Sequence, residues 1–79
     1  MEWCINNTYL ERTFTLVDFS SIVKKIADLT TVCDELNHHP DVCIHGYKHV
    51  TFKLFTHDKN QITEKDYTLA KEIDAIFQV

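Results

Sequence analysis

The strongest constraint on the fold is a stripe of apolar residues that recurs every three or four positions between Asp18 and Pro40. This spacing places the stripe on one face of a helix of about five turns. Asp18 is a favoured N-cap, Asn37 is an acceptable stop, and Pro40 cannot continue a helix. The residues that the helix would bury are Phe19, Ile22, Val23, Ile26, Leu29, Val32, Cys33 and Leu36.

Alternation of apolar and polar residues marks strands on both sides of this helix. Leu10 to Leu16 is the first such run, and Asn6-Asn7-Thr8 would fold it against residues 3–5 as a hairpin. After the helix, Val42 to His45 is a short candidate strand, and His49 to His57 is a longer one. Because short turns join these strands, we expect antiparallel pairing.

A second helix is indicated near the end of the sequence. Thr63 followed by Asp66 is a variant of the capping box with which helices begin. Its buried stripe would be Leu69, Ala70, Ile73, Ile76 and Phe77. The order strand-strand-helix-strand-strand-helix predicts one α+β domain over residues 1–79, a two-layer fold with a four-stranded antiparallel sheet and two helices packed on one face. The first and last strands of such a sheet are edges, which can pair with another subunit.

Charge and composition narrow the possible partners. Eight Lys and Arg residues against twelve Asp and Glu residues give a formal charge of -4, so we expect no nucleic-acid partner. No apolar run approaches the ~18 residues of a membrane span, and no signal-peptide pattern is present. Cys4, Cys33 and Cys43 are odd in number and lack CxxC spacing, which predicts reduced thiols in a cytoplasmic protein.

Three histidines lie where the predicted elements end. His38 and His39 follow the first helix and precede Pro40, and His57 ends the longer strand. Pro40 favours an extended backbone at His39, and a helix C-terminus favours a nearby imidazolium. Because imidazole has an unperturbed pKa near neutral pH, this set predicts proton transfer or metal binding.

A zinc site is the less favoured alternative. Three histidines with an open water position form a known catalytic zinc pattern. However, the pattern of strands and turns does not bring a ligand set together here. His45 and His49 are four residues apart, but Gly46 and the flanking strands argue against a helical metal pair. We therefore expect these two histidines at the surface and no metal site.

The spacing of the polar residues resembles that of the pterin-4a-carbinolamine dehydratases. The specific elements are Asp34-x3-His38-His39-Pro40, Tyr47, Thr56-His57 and Thr63-x2-Asp66. The weaker elements are Trp3, Leu10-Glu11-Arg12-Thr13-Phe14, Leu69-Ala70 and Ile73-Asp74. The resemblance covers nearly the whole chain. Two departures are Val42, where the family often has Trp, and an additional N-terminal helical segment that this sequence does not include.

The resemblance implies a reaction and an assembly. The substrate would be 4a-hydroxytetrahydrobiopterin, the product of aromatic amino acid hydroxylases, and loss of water would give the quinonoid dihydropterin. Family members perform this reaction without a metal or an organic cofactor, and they are commonly homodimers or homotetramers. Animal members also act as dimerisation partners of a homeodomain transcription factor. The alternative function is therefore a protein-binding module that serves as a transcriptional coactivator.

The resemblance also implies roles for particular residues. The candidate proton-transfer set is His38, His39 and His57, with the acid and the base left open. The candidate substrate-binding or orienting residues are Asp66, Asp34 and Pro40. If the first helix runs on to residue 38, Asp34 lies one turn before His38 and could orient it.

Overall fold

The computed structural model describes residues 2–78 and confirms the predicted order of elements. The strands are β1 (Cys4–Asn6), β2 (Tyr9–Thr15), β3 (Asp41–His45) and β4 (His49–Leu54), and the helices are α1 (Phe19–Leu36) and α2 (Glu64–Phe77). The predicted end of the longer strand is wrong, because β4 stops at Leu54 instead of His57. Thr56 and Gln61 exchange backbone hydrogen bonds of 3.1 and 3.3 Å, which close a loop around His57.

The strands form one antiparallel sheet in the order β1-β2-β4-β3, so β1 and β3 are its edges. Leu10 lies opposite Leu54 and Phe14 lies opposite Val50, which makes one face of the central strands apolar. This face joins the buried residues of both helices in a single core. Residues of the opposite, helix-free face include Glu11, Thr13, Thr51 and Lys53.

The first helix begins and ends at the residues that the sequence indicated. The Asp18 carboxylate accepts a 2.8 Å hydrogen bond from the Ser21 backbone N–H, and this bond lowers the pKa of Asp18. Asn37 adopts a left-handed φ of 52°, and its N–H donates to the Asp34 carbonyl. Asparagine tolerates this conformation, so it can end a helix. The buried helix residues are Ile22, Leu29 and Cys33 in α1 and Asp66, Leu69, Ala70, Ile73 and Phe77 in α2.

An acidic residue near the end of α2 joins that helix to the first hairpin. Asp74 Oδ1 accepts a 2.9 Å hydrogen bond from the Trp3 indole and a 2.8 Å bond from Arg12 Nη1. The Arg12 guanidinium also stacks over the Phe14 ring at 4.2 Å. The indole and the ring face thus give this ion pair contacts that an isolated surface pair lacks.

Neither helix within residues 2–78 combines the length and the apolar character that a membrane crossing requires. All three cysteines are free thiols. Cys33 is buried in α1, whereas Cys4 and Cys43 are exposed on the two edge strands.

Candidate active site

The centre of the candidate site is Asp66, a carboxylate in the first turn of α2 with no exposed surface. Its Oδ2 accepts a 2.8 Å bond from the Thr56 hydroxyl and a 2.9 Å bond from the Thr63 backbone N–H. Its Oδ1 lies 2.5 Å from Nε2 of His38. A buried carboxylate is stable only when it is paired and hydrogen-bonded, and these contacts meet that requirement.

His38 reaches Asp66 because α1 ends just before it. After the left-handed Asn37, the His38 N–H donates to the Cys33 carbonyl at 3.1 Å, and the chain leaves the helix axis. Helices α1 and α2 pack against each other, so the end of one helix meets the start of the other. The His38 side chain is 11% exposed, which leaves part of its ring accessible.

His39 has a separate acidic partner, Asp34. Nε2 of His39 lies 3.0 Å from Asp34 Oδ1, and the two side chains are 59% and 77% exposed. Exposed pairs of this kind contribute little to stability. Asp34 could orient His38 only if α1 ran on to residue 38. Instead α1 ends at Leu36, and the turn that follows places His39 beside Asp34.

His39 also borders a largely apolar cleft of about 290 Å³ between α1 and β3. This volume is near the lower limit of small-molecule sites. The cleft is lined by Ile26, Leu29, Thr30, Cys33, Asp34, His39, Pro40 and Val42. Two of the three candidate histidines, His38 and His57, are not among these lining residues.

His57 has aromatic neighbours instead of an acidic one. Its ring centroid lies 5.1 Å from that of Phe55, which lies 5.8 Å from that of Tyr9. The imidazole is exposed. His57 follows Thr56 in the chain, and the Thr56 hydroxyl donates a hydrogen bond to Asp66. Among the described residues, no hydrogen bond joins one candidate imidazole to another. Each of the three therefore has its own set of contacts.

The comparison with protein families is decisive for the relationship of this chain to known proteins. A family model described as pterin 4 alpha carbinolamine dehydratase matches residues 1–76. The chain belongs to this family. The matched region contains all three candidate histidines, Asp34 and Asp66.

Relatives and a solved structure agree with membership of the dehydratase family. A protein of Sulfolobus acidocaldarius is 38% identical over 74 residues, which are 94% of this chain and 80% of that protein. One of Herpetosiphon aurantiacus is 39% identical over 75 residues, with coverages of 95% and 77%. Both are named, provisionally, pterin-4-alpha-carbinolamine dehydratases. The crystal structure of a transcriptional coactivator/pterin dehydratase from Brucella melitensis has a TM-score of 0.88 and 29% identity, covering 96% of this chain and 82% of that one.

A second solved structure shows that the fold is used in another context. It belongs to a pterin dehydratase-like protein identified as a RuBisCO assembly factor in the α-carboxysome. Its TM-score is 0.76 at 18% identity, with coverages of 96% and 89%, so the likeness is one of fold. Because fold does not fix function, the activity of this family member has to be argued from its site.

The cleft of this dehydratase family member contains one thiol. Burial raises the pKa of Cys33, and the negative charge of Asp34 raises it further. The thiolate is the nucleophilic form of cysteine, so a raised pKa keeps Cys33 unreactive near neutral pH. His39 is the one imidazole among the side chains that line the cleft, and imidazole can both donate and accept a proton near neutral pH.

Sequence reasoning included Thr56 in the motif but missed its role. Thr56 is 2% exposed, and its hydroxyl contacts both Asp66 and the hydroxyl of Thr63. A signal was present in the alternation of the preceding strand. Thr56 continues the inward positions of Phe52 and Leu54, which predicts a buried hydroxyl in need of partners.

The remaining two histidines face each other across the β3–β4 register, with ring centroids 5.5 Å apart. His45 Nε2 contacts the Thr51 hydroxyl and His49 Nδ1 contacts the Thr15 hydroxyl, both at 2.9 Å. Tyr47, between them, is 62% exposed. Within residues 2–78, no three His, Cys, Asp or Glu side chains are grouped so that they could hold a metal ion.

Proposed function

We propose that this chain catalyses the dehydration of 4a-hydroxytetrahydropterins, such as 4a-hydroxytetrahydrobiopterin, to quinonoid dihydropterins. The observation that carries the proposal is the contact between His38 and the buried carboxylate of Asp66. A carboxylate that holds an imidazole fixes its orientation for proton transfer. Membership of the dehydratase family supports the choice of substrate.

Loss of water from the carbinolamine requires two proton transfers. An acid protonates the hydroxyl on C4a, the C–O bond breaks, and water leaves. A base removes the proton from N5, and the electron pair of that N–H bond forms the C4a=N5 double bond. The acid loses one proton and the base gains one, so the step needs no oxidant, reductant or nucleophile. Positioned proton transfer accelerates such steps by about 10²–10⁴-fold.

His38, His39 and His57 form the proposed proton-transfer set. Asp66 orients His38, and Asp34 restrains His39 at the mouth of the cleft, where Pro40 forms part of the wall. The apolar cleft suits the flat ring system of a pterin. Neither His38 nor His57 lines the cleft, so a bound pterin has to extend past its edge to meet their rings.

A stopped-flow assay tests the proposal by following the decay of the carbinolamine absorbance at neutral to alkaline pH, where the uncatalysed step is slow. We expect the wild-type protein to accelerate the decay. Replacing His38, His39 or His57 by Ala should reduce kcat by about 10²-fold or more. His45→Ala on the helix-free face is the matched control and should leave kcat unchanged. Decay at the uncatalysed rate with wild-type protein would exclude the function.

A second candidate is a protein-binding module that acts as a dimerisation cofactor or coactivator of a transcription factor. The observation that favours it is an exposed apolar patch at the start of α1, where Phe19 is 53% and Val23 is 45% exposed, with Val17 at 78%. The name of the Brucella melitensis structure includes a coactivator role for that protein. A biological role that survives His57→Ala but is lost in a Phe19→Ser, Val23→Ser variant would favour binding over catalysis.

A further inference from the structure

The partners of Asp66 determine where the hydrogens lie in the buried network. The Thr63 backbone N–H can only donate, and it donates to Oδ2. The Thr56 hydroxyl also donates to Oδ2, at 2.8 Å. Asp66 has no exposed surface, so water cannot supply alternative partners. Both donors fall on Oδ2, and a carboxylate accepts at both oxygens, so Oδ1 is left to accept from His38.

The contact between the two threonine hydroxyls has one consistent direction. Their oxygens are 2.7 Å apart, and either could donate if the pair were isolated. The Thr56 hydrogen is already used on Asp66, so Thr63 has to donate and Thr56 accepts. Thr56 is thus both a donor to the carboxylate and an acceptor from the N-cap residue of α2. These two hydrogen bonds fix the position of the Asp66 carboxylate at the start of α2.

The other carboxylate oxygen then determines the state of His38. An ionised Asp66 accepts at Oδ1, so the ring nitrogen 2.5 Å away, Nε2, carries a hydrogen. This is true of the neutral ring and of the imidazolium. The only nitrogen of His38 that can gain or lose a proton during a reaction is therefore Nδ1.

We propose that Thr56 is a positioning residue which, through Asp66, fixes His38 as the Nε2–H tautomer and leaves Nδ1 as the atom that exchanges a proton with the substrate. The assignment of Nδ1 to the reacting atom rests on the proposed dehydratase function. The tautomer itself does not, and it is measurable without turnover. Thr56 thus serves proton transfer through Asp66 and His38 without contacting the substrate.

The first test is ¹⁵N NMR of the histidine rings in wild-type protein and in Thr56→Val. We expect His38 of the wild type to show the Nε2–H tautomer at alkaline pH. Thr56→Val keeps the shape of the side chain but removes one of the donors to Asp66, so His38 should become a mixture of tautomers. Thr56→Ser restores the hydroxyl and should restore the wild-type signal.

Kinetics provide the second test, with Thr13→Val as the matched control. Thr13 also shares a 2.7 Å hydroxyl contact with a threonine, Thr51, but on the exposed helix-free face. We expect Thr56→Val to reduce kcat about tenfold, as loss of an orienting partner commonly does, with KM nearly unchanged. Thr56→Ser and Thr13→Val should stay close to wild type.

The outcomes separate this inference from the proposed function. A wild-type His38 with an Nδ1–H tautomer refutes the positioning role, whether or not the protein has dehydratase activity. An unchanged tautomer and an unchanged kcat in a folded Thr56→Val protein also refute it. If Thr56→Val does not fold, an Nδ1–H tautomer in the wild type still refutes the inference. A wild type with the Nε2–H tautomer and no turnover refutes the dehydratase function while retaining the positioning of His38.

Discussion

Replacing Asp66 by Asn tests the energetic importance of the buried carboxylate. Asp66→Asn preserves the side-chain shape but changes one acceptor oxygen into an NH₂ donor. The amide oxygen can still accept from Thr56 and Thr63 in place of Oδ2. The NH₂ group then faces Nε2 of His38, so donor meets donor until the imidazole changes tautomer.

The expected cost follows from the number and burial of these bonds. Hydrogen bonds to a charged group contribute about 1.5–3 kcal/mol each, and the substitution weakens two and reverses the third. With partial re-pairing, the free energy of unfolding should fall by about 2–3 kcal/mol. For a chain this small, with an m-value near ~1 kcal/mol/M, the urea midpoint should fall by about 2–3 M. The kcat should fall by about 10²–10⁴-fold, because His38 would present the wrong nitrogen to the substrate.

Asp34→Asn is the matched control, since it changes the same functional group beside another histidine. That pair is exposed, so the loss of unfolding free energy should stay below about 0.5 kcal/mol. Urea unfolding followed by circular dichroism measures both variants. The reasoning fails if Asp66→Asn is as stable as the wild type, or if both substitutions have the same small effect.

Three further predictions concern pH and metal removal. Asp18→Ala should lower Tm at neutral pH, because the ionised Asp18 cap stabilises the fold. The difference in Tm from wild type should shrink as the pH falls through the lowered pKa of Asp18. Thermal scans across acidic pH measure this difference. Burial raises the pKa of Cys33. The stability that the buried thiol contributes is therefore full below the ordinary thiol pKa and declines as the pH rises through the raised value. Urea unfolding at alkaline pH should show a smaller loss of stability in Cys33→Val than in the wild type. Dialysis against EDTA should leave the dehydratase rate unchanged, and activity that depends on stoichiometric zinc would contradict the proposed mechanism.

The helices and the order of elements could be predicted because their signals are local. The N-cap at Asp18, the left-handed stop at Asn37 and the capping residue Asp66 each act within one turn of the helix that they limit. Alternation of apolar and polar residues likewise marked the strands without reference to distant parts of the chain. Such short-range rules suffice for an α+β fold with antiparallel strands.

The carboxylate partner of each histidine could not be predicted in this way. Asp34 would have oriented His38 only if α1 ran on to residue 38; it contacts His39 instead, and His38 contacts a residue 28 positions away. That choice depends on where the first turn of α2 docks against the end of α1, which is a property of the tertiary structure. The proton-transfer set of His38, His39 and His57 stays a prediction, since His57 contacts Phe55 and neither of the other two.

The contact between Trp3 and Asp74 has a practical consequence for work on this chain. Trp3 is the only tryptophan, the residue is 6% exposed, and its indole N–H donates a hydrogen bond to Asp74 of α2. Its fluorescence therefore reports whether α2 is docked on the first hairpin. A red shift of the emission would reveal undocking of this helix without any label.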